Sequence, residues 1–376
     1  MIQNERSNRK VIPIASGKGG VGKSVLAANL ALRLSAAGAD TVAVDLDLGG
    51  SNLHTYFGIR NTRKGIGNFL SASKTPFSDI VTDTDWENLR FVPGDVLVAG
   101  LSRLSSGQRN RVVTGLEELK ADYIIVDLGS GTSELVIDLF LLSNSGIVVT
   151  TPQAPSALNA YGLLKNVLFY RLKEEFAKSS RITSYLRSVQ KDRNPRSTPT
   201  LDEIVKAIKK IDGKAATRAR RRIADLHPLF ILNMVNDPDD LSLLRSLRKL
   251  VNDNLGIDPA CLGAVFFDPT CTQAVTSLQP VTTFDPLTAI SYQIERIAQK
   301  IFQSERFPEM PLDLSEYEDS YELTQLELED DVEQYGRPSN FGGDRNAQEF
   351  FEVISKQKQE IEQLKRTIRM LSTGRE

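Results

Sequence analysis

Cysteine and histidine are scarce in this chain of 376 residues, with two of each. Cys261 and Cys271 are not spaced as a metal clip, and His54 and His227 lie far apart with no cysteine beside them. That spacing argues against a zinc site and against a disulfide framework. No uninterrupted apolar run reaches the roughly 20 residues that a bilayer-spanning helix needs. The first ten residues are polar and contain no apolar stretch of the kind a signal peptide carries. An excess of one charge is also missing, since the formal net charge is −2. Any contact with nucleic acid or lipid must therefore come from a local patch. These absences together lead us to expect a cytoplasmic protein of a reducing compartment.

What the chain does contain is strand–helix alternation. Val11–Ala15, Thr41–Val44, Tyr123–Val126, Gly146–Thr150, Leu229–Leu232 and Leu262–Phe267 read as strands. They are continuous apolar runs, which suit a parallel sheet covered on both faces. Val21–Ala36 reads as a helix, with Leu26, Leu30 and Leu34 four residues apart. The expected fold is α/β, a doubly wound and mostly parallel sheet, over residues 1–306. Residues 178–222 interrupt the alternation as a basic helical insertion that ends in the run Arg218-Ala219-Arg220-Arg221-Arg222. Residues 307–346 are acidic and weakly periodic, and read as a mostly disordered linker. Residues 347–376 read as a coiled-coil-like helix. Ile354, Ile361 and Ile368 share one heptad position, and Phe350, Leu364 and Leu371 share the position three further on.

The sharpest motif is Ser16-Gly17-Lys18-Gly19-Gly20-Val21-Gly22-Lys23-Ser24, followed by Val25, between the first strand and the first helix. Glycines allow the tight turn that aims backbone N–H groups at phosphates, and the helix N-terminus favours negative charge there. Lys23 is placed to reach the β- and γ-phosphates of ATP, and Ser24 to ligate Mg²⁺. Asp45 and Asp47 follow the second strand, a spacing suited to Mg²⁺ and water positioning. Asp127, after the apolar run Tyr123–Val126, has the arrangement that holds Mg²⁺, and Gly129 behind it could offer an N–H to the γ-phosphate.

The second lysine of the loop, Lys18, marks a resemblance to the MinD/ParA family of deviant Walker A ATPases. The resemblance covers roughly Val11 to Phe302 outside the insertion. The run Asp122 to Thr151, with Asp127-Leu128-Gly129-Ser130-Gly131-Thr132-Ser133, looks most like the FlhG branch, which controls flagellar number and placement. One departure is that the chain starts directly before the first strand, without the N-terminal helix common in that branch. The resemblance implies an ATP-dependent homodimer in which Lys18 crosses to the partner's phosphates. It also implies that Asp47 orients or deprotonates the attacking water, that Asp45 is its neighbour in the Mg²⁺ shell, and that Asn233 hydrogen-bonds adenine. Hydrolysis would be slow and stimulated by a partner protein. The protein would position a flagellum, a division site, DNA or another cargo. In its ATP state it would lie peripherally on the inner membrane or the nucleoid, with the basic insertion contacting anionic lipid or nonspecific DNA.

Three other classes share this loop. A metallocluster carrier or reductase would need paired cysteines, which Cys261 and Cys271 do not supply, so no Fe–S cluster is expected. An amidotransferase-type ATPase would need a further glutaminase domain. A tyrosine kinase would carry its tyrosines in a tail, where Tyr317, Tyr321 and Tyr335 do lie, but its loop lacks the second lysine.

Overall fold

The computed structural model describes residues 9–48, 50–59, 64–71, 75–94, 104–191, 199–303 and 319–338. The central feature is an eight-stranded sheet of order β3-β4-β2-β5-β1-β6-β7-β8. Its strands are β1 (Lys10–Ser16), β2 (Thr41–Leu46), β3 (Thr82–Asp83), β4 (Leu89–Val92), β5 (Tyr123–Ser130), β6 (Ile147–Thr150), β7 (Leu229–Val235) and β8 (Ala260–Phe266). All pair in parallel except the short edge strand β3, which runs antiparallel to β4. Successive side chains serve opposite faces: Ile125 and Ile147 enter one core cluster, and Ile124, Val126 and Val148 the other. This is why the strands read as unbroken apolar runs. β3 escaped the sequence reading because it has two residues, and β4 because Arg90 interrupts its apolar run.

One face is covered by α1 (Lys23–Ala36), α2 (Leu53–Tyr56) and later helices. The other carries α3 (Ile66–Ser71), α4 (Ser106–Glu118), α5 (Glu134–Phe140) and the long α6 (Ala154–Glu175). α1 begins two residues later than Val21, because Gly22 adopts a left-handed φ of 82° just before it.

The basic insertion is helical, as expected, but it is no appendage. It forms α7 (Ser180–Lys191), α8 (Leu201–Ile211) and α9 (Ala215–Ala224). Ile182, Leu186, Ile204, Ile208 and Ile223 are all buried in the same core as α6. Thr200 opens α8 with a capping box closed by Glu203. Then come α10 (Leu241–Leu255), α11 (Thr270–Thr276), α12 (Val281–Phe284) and α13 (Ala289–Gln303).

The expectation of a disordered acidic linker is corrected where the structure describes it. Residues Ser320–Tyr335 form α14, which packs against β8 and α10 and is ion-paired to α13. Tyr321 and Leu328 are fully buried, and the Tyr321 hydroxyl donates to the Pro259 carbonyl at 2.8 Å. The acidic residues that suggested disorder face cations. Asp331 pairs with Arg296 at 2.8 Å, and Glu327 with Lys300 at 2.8 Å. Two N–H groups of edge strand β8 are satisfied from the covering helices: Cys261 N donates to Ser320 Oγ of α14, and Phe266 N to Gln293 Oε1 of α13. Tyr321 is thus a core residue and no tail tyrosine. The rest of the expected linker and the whole C-terminal helix lie outside the described residues.

Candidate nucleotide site

The loop between β1 and α1 is held from three sides. Gly131 N donates to Ser16 O, and Ser16 Oγ donates to Lys18 O, both at 2.9 Å. Behind the loop, a Cβ on Gly17 would lie 2.2 Å from the backbone of Asn159 in α6. Only glycine permits that approach. From the β7 side, Asn233 Nδ2 donates to Val21 O at 2.8 Å, and a Cβ on Gly22 would meet that same nitrogen at 2.1 Å. Gly20 is left-handed too, with φ 80° and open space before it. Lys18, Gly19 and Gly20 are exposed at the loop tip, while Val21 and Lys23 are buried. Val25 lies on the first turn of α1, where its carbonyl accepts from Asn29.

The carboxylates converge on Lys23. Its Nζ donates to Asp127 Oδ1 at 2.5 Å and lies 3.9 Å from Asp47 Oδ2. Ser24 Oγ is 3.5 Å from the same nitrogen, and the Ser24 side chain is hydrogen-bonded to Asp127. Gly129 passes close by, since a Cβ there would lie 3.3 Å from Asp47 Oδ1. Burial pushes Asp127 above the usual carboxylate range, opposed by Lys23. Burial, and then the charge of Asp127, push Asp45 up to about 7.

Asp45 does a different job from its neighbours. Its Oδ1 accepts from Asp47 N, and its Oδ2 from Ser51 Oγ at 2.6 Å and Leu53 N at 3.0 Å. These bonds fasten the loop that carries Asp47, and they leave one acceptor site on Oδ1. Ser24 and Asp127 are the donors beside Lys23. One hydroxyl and one carboxylate beside a phosphate cradle fit Mg²⁺, which keeps waters and takes few protein ligands. An added cation would also offset the burial of two neighbouring acids. Among the described residues, no group of three or more His, Cys, Asp or Glu is gathered to hold a metal without such help.

The structure brings together Gly17 to Val25, Asp45, Asp47, Asp127, Gly129 and Asn233. The side-chain amide of Asn233, expected at adenine, is 6 % exposed and braces the phosphate loop through Nδ2. Sequence reasoning missed Met234, a non-glycine residue at φ 60° in a bulge of β7, with its Cε 3.7 Å from a Cβ built on Gly22. No local signal foretells that conformation. It also missed Asn159, whose role exists only because α6 crosses behind the loop.

A strand, a glycine loop with its terminal lysine and serine, a helix, and an acid at the end of a neighbouring strand define a P-loop NTPase. Residues 7–168 match the ParA family model, described as NUBPL iron-transfer P-loop NTPase. This part of the chain is similar to the ParA/MinD P-loop NTPases. It is 32% identical over 164 residues to the flagellum site-determining protein YlxH of Helicobacter pylori, covering 43% of this chain and 55% of that protein. It is 33% identical over 150 residues to the septum site-determining protein MinD of the same organism, covering 39% and 54%. The chain thus spans about half the length of these curated relatives. Among solved structures, MinD of Pyrococcus horikoshii in complex with Mg-ADP shares the fold, with a TM-score of 0.53 at 20% identity over 78% of this chain and 96% of that one.

Proposed function

We propose that this protein is an ATP-dependent dimerising switch ATPase that positions or regulates a cellular structure. The observation that carries the reading is the exposed Lys18 on a phosphate loop whose other lysine, Lys23, is buried among acids. A buried lysine serves the phosphates of its own subunit. An exposed one at the loop tip is free to serve those of a second copy.

Bound Mg²⁺ and ATP supply the reactive phosphoryl group and the cation that draws charge from it. Ser24 and Asp127 would hold the metal, with Asp45 anchoring the Asp47 loop. Lys23 would leave Asp127 for the phosphates, exchanging one anionic partner for another. The N–H groups of Gly19 to Lys23 and of Gly129 would orient the phosphates. Asp47, 28 % exposed, is open to a water molecule and close enough to Gly129 to hold it near the γ-phosphate. Asn233 and Met234 would form the wall on the base side. The likeness to site-determining proteins supports a positioning role, and FlhG-like flagellar placement is the reading the YlxH match favours. An activating protein would set the turnover. The basic helices α7–α9 offer a surface for anionic membrane or nonspecific DNA, which would place the ATP state peripherally on inner membrane or nucleoid. Among the described residues, no helix is long and apolar enough to cross a membrane.

Light scattering and phosphate release test this. Lys23→Ala loses tight ATP binding. Lys18→Ala binds ATP but stays monomeric, with turnover down about 10²-fold, the cost of losing one transition-state donor. Asp47→Ala traps an ATP-bound dimer. Normal dimerisation and hydrolysis by Lys18→Ala would sink the reading.

The family model's description raises iron transfer as a second reading. The thiols present here do not support it. Cys261 and Cys271 are both free, and they pack into opposite core clusters.

A further inference from the structure

α4 carries a glycine in its interior, Gly115, a residue that helices disfavour there. A Cβ at this position would lie 2.1 Å from the ring of Phe77. The missing side chain lets that ring lie on the helix backbone, where Phe69 of α3 meets it edge to face with centroids 5.1 Å apart. Arg111 clamps the same corner. Its guanidinium lies 4.5 Å from the centre of the Phe69 ring and donates to Phe69 O at 2.9 Å. Over these rings is an open cleft of about 390 Å³. Phe69, Phe77 and Gly115 are its buried floor, and Pro76, with extended backbone, lines one side. The other side is α4, through Asn110, Thr114 and Glu118. These three are exposed and four residues apart, so they share one face of the helix at intervals of about 6 Å. Among the described residues, none of their side chains has a hydrogen-bond or ion-pair partner.

We propose that this cleft docks an extended segment of a partner protein that carries a lysine or arginine. An extended chain repeats its same-face groups every 6.6 Å or so, about the interval of the three α4 side chains. Asn110 and Thr114 each donate and accept, which suits the N–H and C=O groups of such a backbone. A helix in the cleft would offer them none, because its backbone groups are bonded internally. Glu118 only accepts, and its unpaired carboxylate selects a cation. The Phe69 and Phe77 rings and Pro76 meet the apolar parts of the segment. α3 also ties the cleft to the nucleotide site. At its start, Ile66 N donates to Pro93 O at 2.9 Å, and a Cβ on Gly65 would meet that oxygen at 2.6 Å. The next residue, Gly94, is packed on Ser51, whose hydroxyl donates to Asp45 Oδ2, and Asp45 Oδ1 accepts from Asp47 N. A segment that presses on Phe69 therefore acts on the loop that bears Asp47, and its docking speeds hydrolysis. The effect on hydrolysis rests on the ATPase reading above; the docking does not.

A random heptapeptide library displayed on phage, selected on the full chain, tests this. We expect enriched peptides that carry a lysine or arginine. Their binding weakens about tenfold or more on Thr114→Trp, which fills the cleft from an exposed position, and on Glu118→Lys, which reverses its charge. Selection on Glu118→Lys returns peptides with an acid in place of the base. Both variants keep the parent's melting temperature and basal phosphate release, since both positions are exposed. With ATP, a selected peptide raises phosphate release by the wild type and not by Thr114→Trp. If the library yields no peptide that both variants weaken, the cleft is not a docking site. Peptides that bind there and leave phosphate release unchanged overturn the link to the Asp47 loop. A wild type that releases no phosphate under any condition refutes the ATPase reading instead, and peptide binding still decides the cleft.

Discussion

At the scale of single residues, the phosphate loop is held by what glycine lacks. Gly17→Ala would push a methyl group into the backbone of Asn159, which cannot rotate away. We expect a loss of about 1–3 kcal/mol by overpacking, read as a fall in melting temperature, together with weakened nucleotide binding. Asn233→Ala should leave Val21 O without its donor. Binding of every nucleotide should then weaken alike, whereas a base contact alone would affect ATP and spare inorganic triphosphate. The cysteines make a pH-dependent case. Burial pushes Cys261 up to about 11 and Cys271 up to about 12, from 9.0. The folded protein therefore holds these protons more tightly than the unfolded chain does. Their contribution to stability is complete below pH 9 and is lost as pH rises through 11 to 12. Thiol labelling of the folded protein should accordingly be slow at pH 8 and fast once denaturant is added.

At the scale of elements, α14 decides how the far edge of the sheet is closed. Its anchors, Tyr321 and Leu328, are seven residues apart, and Asp331 joins Arg296 and Gln293 in a buried cluster. Asp331→Ala leaves Arg296 without its closest carboxylate. We expect destabilisation of about 3 kcal/mol, as for other broken buried pairs, measurable by denaturant titration. Removing α14 altogether should expose edge strand β8 and promote aggregation. The helix was hidden in the sequence because its acids look like solvated charge until α13 supplies Arg296 and Lys300. Its end signals were present nonetheless: Asp319 caps its start, and Gly336, at φ 80°, follows its end. The insertion shows the reverse. Its helical character was read from a Lys- and Arg-rich stretch that breaks the strand–helix alternation, but its membership of the main core was not, because nothing local says which face meets α6.

For the whole molecule, the near-neutral total charge conceals a basic flank on α8 and α9. Lys209, Lys210, Arg220 and Arg221 are exposed there. If this flank meets a polyanion, binding to nonspecific DNA or to anionic vesicles falls steeply as salt rises. Reversing Arg220 and Arg221 to Glu should abolish that binding while leaving ATP binding intact. Absence of binding by the wild type with ATP at low salt would make the flank a solvated face only.

The sequence by itself determined the phosphate loop, the ends of the strands that bear Asp45, Asp47 and Asp127, and the parallel character of the sheet. These are local facts: glycine spacing, an acid closing an apolar run, and continuous rather than alternating hydrophobicity. Tertiary structure alone decided that Lys23 grips Asp127 and that Asn233 reaches Val21. Each of those contacts joins segments far apart in the chain, and such distances are set only when packing of the two cores brings the elements together.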